Sequence, residues 1–115
     1  MIYLASPYSH EDPKIMDERF EAVCKCTAYL SKMGLVVFSP IAHNHNLVKY
    51  DLPTSWEFWS RIDMAFISRC DELWAVTLDG YRESKGVTAE IQIAREIGMK
   101  VVFISPLEVE QLKGE

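Results

Sequence analysis

Glu90 is the residue whose position most needs a chemical reason. It stands in the run Val87-Thr88-Ala89-Glu90-Ile91-Gln92-Ile93-Ala94. There Val87, Ile91, Ala94 and Ile97 recur at helical spacing and predict a buried stripe. Glu90 lies four before Ala94 and seven before Ile97, so it is expected on the same inward side. A carboxylate there needs a partner or a task. Two readings stand level: pairing with a buried cation or the helix N-terminus, and service as a catalytic carboxylate.

Ser84-Lys85-Gly86 precedes that helix. Free N–H groups, a hydroxyl and a glycine that permits close approach make a small anion cradle. An N-cap serine beside a turn glycine is the commoner meaning of the same residues. Asp63 falls midway along another helical stretch, three before Phe66, where it faces either a pocket or solvent. His43 and His45 alternate in a segment that reads as extended, so both are expected on one side. Two histidines with no third ligand favour ligand contact over a metal. Trp56 and Trp59 offer a stacking wall for a base, although core packing or a subunit interface is the more usual use. No G-x-S-x-G, Walker A or G-x-G-x-x-G run is present.

The elements that must position these groups follow from periodicity. Ile2–Ala5, Leu35–Phe38, Leu73–Val76 and Val101–Ile104 are short apolar runs stopped by turn residues, and they predict four buried strands. Helices are expected over about 13–33, 54–69 and 84–98, with a short one after Ser105-Pro106. Pro13 suits a first turn and Gly34 and Gly98 suit helix ends. Ile41–Ser55 is expected to be the longest irregular segment. Strands alternating with helices predict an α/β fold: a single doubly wound, flavodoxin-like parallel sheet with helices on both faces, spanning residues 1–115 as one domain. Right-handed crossovers bring the strand-to-helix loops to one edge, where ligands bind. Ser6 and Tyr8 in the first loop and His43 in the second are therefore candidate substrate contacts.

Three segments together resemble the nucleoside 2-deoxyribosyltransferase superfamily: I-Y-L-A-S-P-Y, D-M-A-F-I-S-R-C-D-E-L-W-A-V, and D-G-Y-R-E-S-K-G-V-T-A-E-I-Q-I-A. Within it the chain is most similar to short bacterial and phage proteins of undefined function and to the 2'-deoxynucleoside 5'-monophosphate N-glycosidases. The resemblance implies a flavodoxin-like fold and cleavage of a ribosyl or deoxyribosyl N-glycosidic bond. It implies Glu90 as the nucleophile at the anomeric carbon and Asp63 as its assistant at sugar and base. The deoxyribosyltransferases carry D-x-G-T-x-x-E. This chain reads S-K-G-V-T-A-E, similar to the glycosidases' S-x-G-V-x-x-E, which implies Ser84 and Gly86 as phosphate ligands. A transferase, or a pocket that binds a nucleotide-derived ligand without turnover, are the alternatives. The implied chemistry requires no metal and no redox cofactor.

Bulk properties narrow the partners. A net charge of -5 without a basic run argues against a nucleic-acid polymer. A small anion needs no basic surface. Cys24, Cys26 and Cys70 form no disulfide or zinc pattern and predict reduced cysteines in a cytoplasmic protein. Neither a signal peptide nor a bilayer-length apolar run is visible, so no membrane partner is expected. A homodimer or larger homo-oligomer is expected, because Phe58 and Trp59 are adjacent on a helix and cannot both enter one core.

Overall fold

The computed structural model describes residues 1–112. Among these residues, four strands form one all-parallel sheet: β1 (Ile2–Ala5), β2 (Val37–Phe38), β3 (Glu72–Val76) and β4 (Lys100–Ile104), in the order β2-β1-β3-β4. Five helices accompany them: α1 (Pro13–Lys32), α2 (Pro40–Val48), α3 (Trp56–Ile67), α4 (Lys85–Glu96) and α5 (Pro106–Gln111). This is the expected flavodoxin-like order, in which β1 is flanked by β2 on one side and β3 on the other.

The period of two along a strand sorts the core into two layers. Tyr3 and Ala5 of β1 join Leu73 and Ala75 of β3 beneath Ile67 of α3 and Ala94 of α4. Leu4 and Val76 face the other way, onto Val23, Cys26 and Leu30 of α1 and Val109 of α5. Tyr3 thus points at the layer that carries Glu90. No described helix is long and apolar enough to cross a membrane.

Several expectations are corrected by the structure. The segment read as irregular from Ile41 contains α2. Ser39 caps it, accepting from the Ala42 N–H at 3.1 Å, and Pro40 occupies the first turn. The Ser39-Pro40 pair that reads as a strand stop is therefore a helix start, a dual meaning that both residues carry. The run Leu35–Phe38 shrinks to a two-residue edge strand, only half-buried, with Val36 exposed. An edge strand has one neighbour to cover it, so apolar content does not guarantee burial. The buried stripe of α4 is Val87, Glu90 and Ala94, while Ile97 is exposed at the helix end. The buried residues of α3 are Trp59, Asp63 and Ile67. Trp59 finds cover in its own chain: its indole donates to the Pro53 carbonyl at 2.7 Å, and half-buried Phe58 packs edge-on against it.

Candidate active site

The carboxyl ends of β1 and β3 open into a cavity of about 380 Å³ closed by α2, α3 and the start of α4. That volume suits a small ligand. Six residues expected at the site line it: Glu90, Asp63, Ser84, Gly86, Ser6 and Tyr8. His43 is not among the lining residues. Coiling the segment into α2 sends the two histidines to different sides, and Asn44 and His45 reach the cavity instead. Ile41, Val48, Trp56 and Trp59 supply an apolar wall.

Glu90 and Asp63 mark the buried end of the cavity, 4% and 6% exposed. The Tyr3 hydroxyl donates to Glu90 Oε2 at 2.5 Å. Asn44 Nδ2 donates to Asp63 Oδ1 at 3.4 Å. Burial raises the Glu90 carboxyl well above the ordinary carboxylate range, the Asp63 charge adds to the rise, and the Tyr3 hydroxyl opposes it. Burial also pushes Asp63 up to about 6, opposed by Asn44, by a hydrogen bond with Glu90 and by His43. The directions describe one unit: two buried carboxyls that interact, with Glu90 holding a proton more tightly than Asp63. The arrangement can take up or deliver one proton beside a carboxylate at an atom seated between them.

Tyr3 is the site residue that sequence reasoning missed. Its ring fills the apolar pattern of β1, so it reads as core. The available signal was its hydroxyl, which needs a partner when the ring is fully buried. Tyr3 lies 87 positions from Glu90, and only the sheet unites them. His43 serves the pair indirectly, its Nδ1 lying 2.7 Å from Asn44 Oδ1. His45 belongs to a second constellation. Its Nδ1 meets the Tyr8 hydroxyl at 2.7 Å, its Nε2 lies 3.6 Å from Asp17 Oδ1, and Phe20 stacks on its ring. These contacts orient Tyr8 at the cavity wall.

The start of α4 also lines the cavity. Ser84 is its N-cap and accepts from the Val87 N–H at 3.2 Å. The capping reading is therefore correct. It leaves the serine's own O–H free to donate, because the cap uses only a lone pair. A methyl group at Gly86 would meet nothing nearer than Trp56, at 3.8 Å. Packing does not require glycine there, and the glycine lines the cavity without a side chain. Lys85 forms an ion pair with Glu57 of α3. Ser6 Oγ is buried and has no hydrogen-bond partner among the described residues, although it lines the cavity. Arg19 fastens the two loops around the site, donating to the Ser9 carbonyl at 3.0 Å and the Asp79 carbonyl at 3.2 Å. Gly80, at φ +90, leaves room for that guanidinium: an added Cβ would lie 2.5 Å from it.

The chain matches the family described as Domain of unknown function (DUF1937) over residues 1–106 and belongs to it. No curated protein matches the chain.

Proposed function

We propose that this member of the family cleaves the N-glycosidic bond of a nucleoside 5'-monophosphate, with Glu90 as nucleophile and water as the final acceptor. The observation that carries the reading is the convergence of Glu90 and Asp63, two buried carboxyls from different helices, at the closed end of a nucleotide-sized cavity. Breaking a C1'–N bond develops positive charge on the sugar, which a carboxylate stabilises or traps. The base leaves with the bonding electron pair and needs a proton. The pair supplies both from one proton. It passes through Asp63 to the base while Glu90 Oε bonds to C1', and Tyr3 donates to the carboxylate as it forms. In the second step water attacks C1', its proton goes to Asp63, and Glu90 is released.

Ser84, the N–H groups after it and Gly86 hold the 5'-phosphate in this reading, and Trp56, Trp59, Ile41 and Val48 cover the base. Phosphate held away from C1' positions the sugar for attack. The deciding experiment incubates the protein with a panel of nucleotides and nucleosides and measures released base. Dependence of turnover on a second base would make the protein a deoxyribosyltransferase. Tight binding without release would make it a nucleotide-binding module.

Ser84→Ala is expected to weaken binding of a 5'-monophosphate by about 1–2 kcal/mol and to leave binding of the matching nucleoside nearly unchanged. Because that variant also removes a helix cap, Ser84→Asp is the companion: it keeps a cap acceptor and repels phosphate. Titration calorimetry with both ligands reads the difference, and equal losses for nucleotide and nucleoside sink the assignment.

The proposal includes a homodimer or larger homo-oligomer. With Trp59 covered inside the chain, its support is exposed apolar surface elsewhere, chiefly Val36, Tyr50, Ile97 and Leu107. Light scattering at micromolar protein decides; a fully active monomer removes this part.

A further inference from the structure

We infer that Lys85 is the residue that reads the 5'-phosphate, and that Glu57 occupies it as an internal competitor until the ligand arrives. The inference rests on the nucleotide reading above and adds how the site discriminates a nucleotide from a nucleoside. Among the described residues that line the cavity, Lys85 is the only lysine or arginine. It is the first residue of α4, placed between Ser84 and Gly86, so its flexible side chain starts from the first turn of the helix.

In the structure the Lys85 charge is committed. Lys85 Nζ is ion-paired to Glu57, in the first turn of α3. Besides Glu57, Glu83 and the Asp63–Glu90 pair, which shares one proton, line the same cavity. A phosphate dianion entering while Lys85 stays on Glu57 meets uncompensated negative charge, which like-charge repulsion opposes. Transfer of Lys85 from Glu57 to the phosphate removes the obstacle.

The transfer is feasible because the pair is solvated. The two side chains are 73% and 63% exposed, and exposed ion pairs exchange partners with little loss. An ammonium on a flexible stem carries three donors and swings readily. Glu57 needs no replacement partner, since water solvates it. A second, independent feature marks the cavity as built for an occupant: the buried, unpartnered Ser6 hydroxyl lines it. A nucleoside has no group to recruit Lys85 and leaves the ion pair in place. Glu57 therefore sets a threshold that a phosphorylated ligand crosses through Lys85.

The test measures equilibrium binding of a nucleoside 5'-monophosphate, the matching nucleoside and ribose 5-phosphate to the full chain. Glu57→Gln is expected to tighten both phosphorylated ligands about threefold to tenfold and to leave the nucleoside unchanged. Lys85→Met is expected to weaken both phosphorylated ligands by roughly tenfold, again sparing the nucleoside. Unchanged or weaker phosphate binding by Glu57→Gln overturns the inference. So does equal weakening of all three ligands by Lys85→Met, or the absence of any wild-type preference for phosphate. Base release is scored separately. Phosphate binding as expected without released base leaves this inference standing and removes the glycosidase. Base release from nucleoside and nucleotide alike, indifferent to Lys85, does the reverse.

Discussion

Glu90→Gln is expected to lower the rate of base release by at least about a hundredfold while the chain stays folded. The substitution is nearly isosteric, and it preserves the local hydrogen bonds. The amide oxygen accepts from Tyr3, whose hydroxyl now donates to Glu90 Oε2. The amide NH2 keeps a donor on the side of Asp63, where the protonated carboxyl would have one. What it removes is the capacity to become a carboxylate, and with it the bond to C1'. Single-turnover base release on a matched nucleotide, with circular dichroism as the folding control, reads the effect. Release at near wild-type rate by a folded variant would falsify the catalytic assignment and leave Glu90 as a buried hydrogen-bonding group.

The second large effect belongs to Asp63, and two independent measurements read it. Asp63→Asn is expected to slow release of a neutral purine or pyrimidine by about 10²–10⁴-fold, the usual worth of a positioned acid. The loss is expected to shrink for a base that departs without a proton, such as one already quaternised on its ring. Wild-type kcat/KM is expected to fall below about pH 6, where the Asp63–Glu90 pair takes up its second proton, and again at higher pH, where it loses the one proton it retains. An equal loss for all leaving groups argues against proton transfer by Asp63.

Stability responds to the same carboxyl with a definite sign. Asp63 is raised in the fold from 3.8 to about 6, chiefly by burial. The protonated form is therefore favoured by folding. That contribution is fully present below about pH 3.8 and is lost as pH rises through about 6. Asparagine cannot ionise, so the variant escapes the loss. Relative to wild type, Asp63→Asn is expected to gain up to about 3 kcal/mol between pH 3.5 and pH 7.5. Denaturant midpoints at the two pH values measure it, and a constant difference between the proteins would contradict the burial of this group. Together the two results separate a carboxyl kept for chemistry, at a cost in stability, from one kept for the fold.

Residue order by itself determined much of this protein. Strands starting near Ile2, Leu73 and Val101 were legible because each leaves a continuous apolar run, even though β4, at the sheet edge, is only partly covered. The starts of α1 and α4 were legible because Pro13 and Ser84 sit where a first turn and a cap require them. Glu90 stood out because a carboxylate on an apolar helical stripe contradicts its surroundings. All of these signals are local, decided within a few residues. Where one short signal has two meanings, local reading failed. Ser39-Pro40 ends β2 and also begins α2, and only the packing of that helix over the edge of the sheet selects the second meaning. The position of His43 and His45 changed with it, since a residue's neighbours two and four places on point differently in a helix and an extended chain. Tertiary structure alone decided the chemistry of the pair. Asp63 was one surface-or-pocket carboxylate in the sequence, and its closeness to Glu90, to Asn44 and, through Glu90, to Tyr3 arises from three elements crossing one sheet edge. Titration behaviour depends on distance and exclusion of water, and neither quantity exists until the chain has folded.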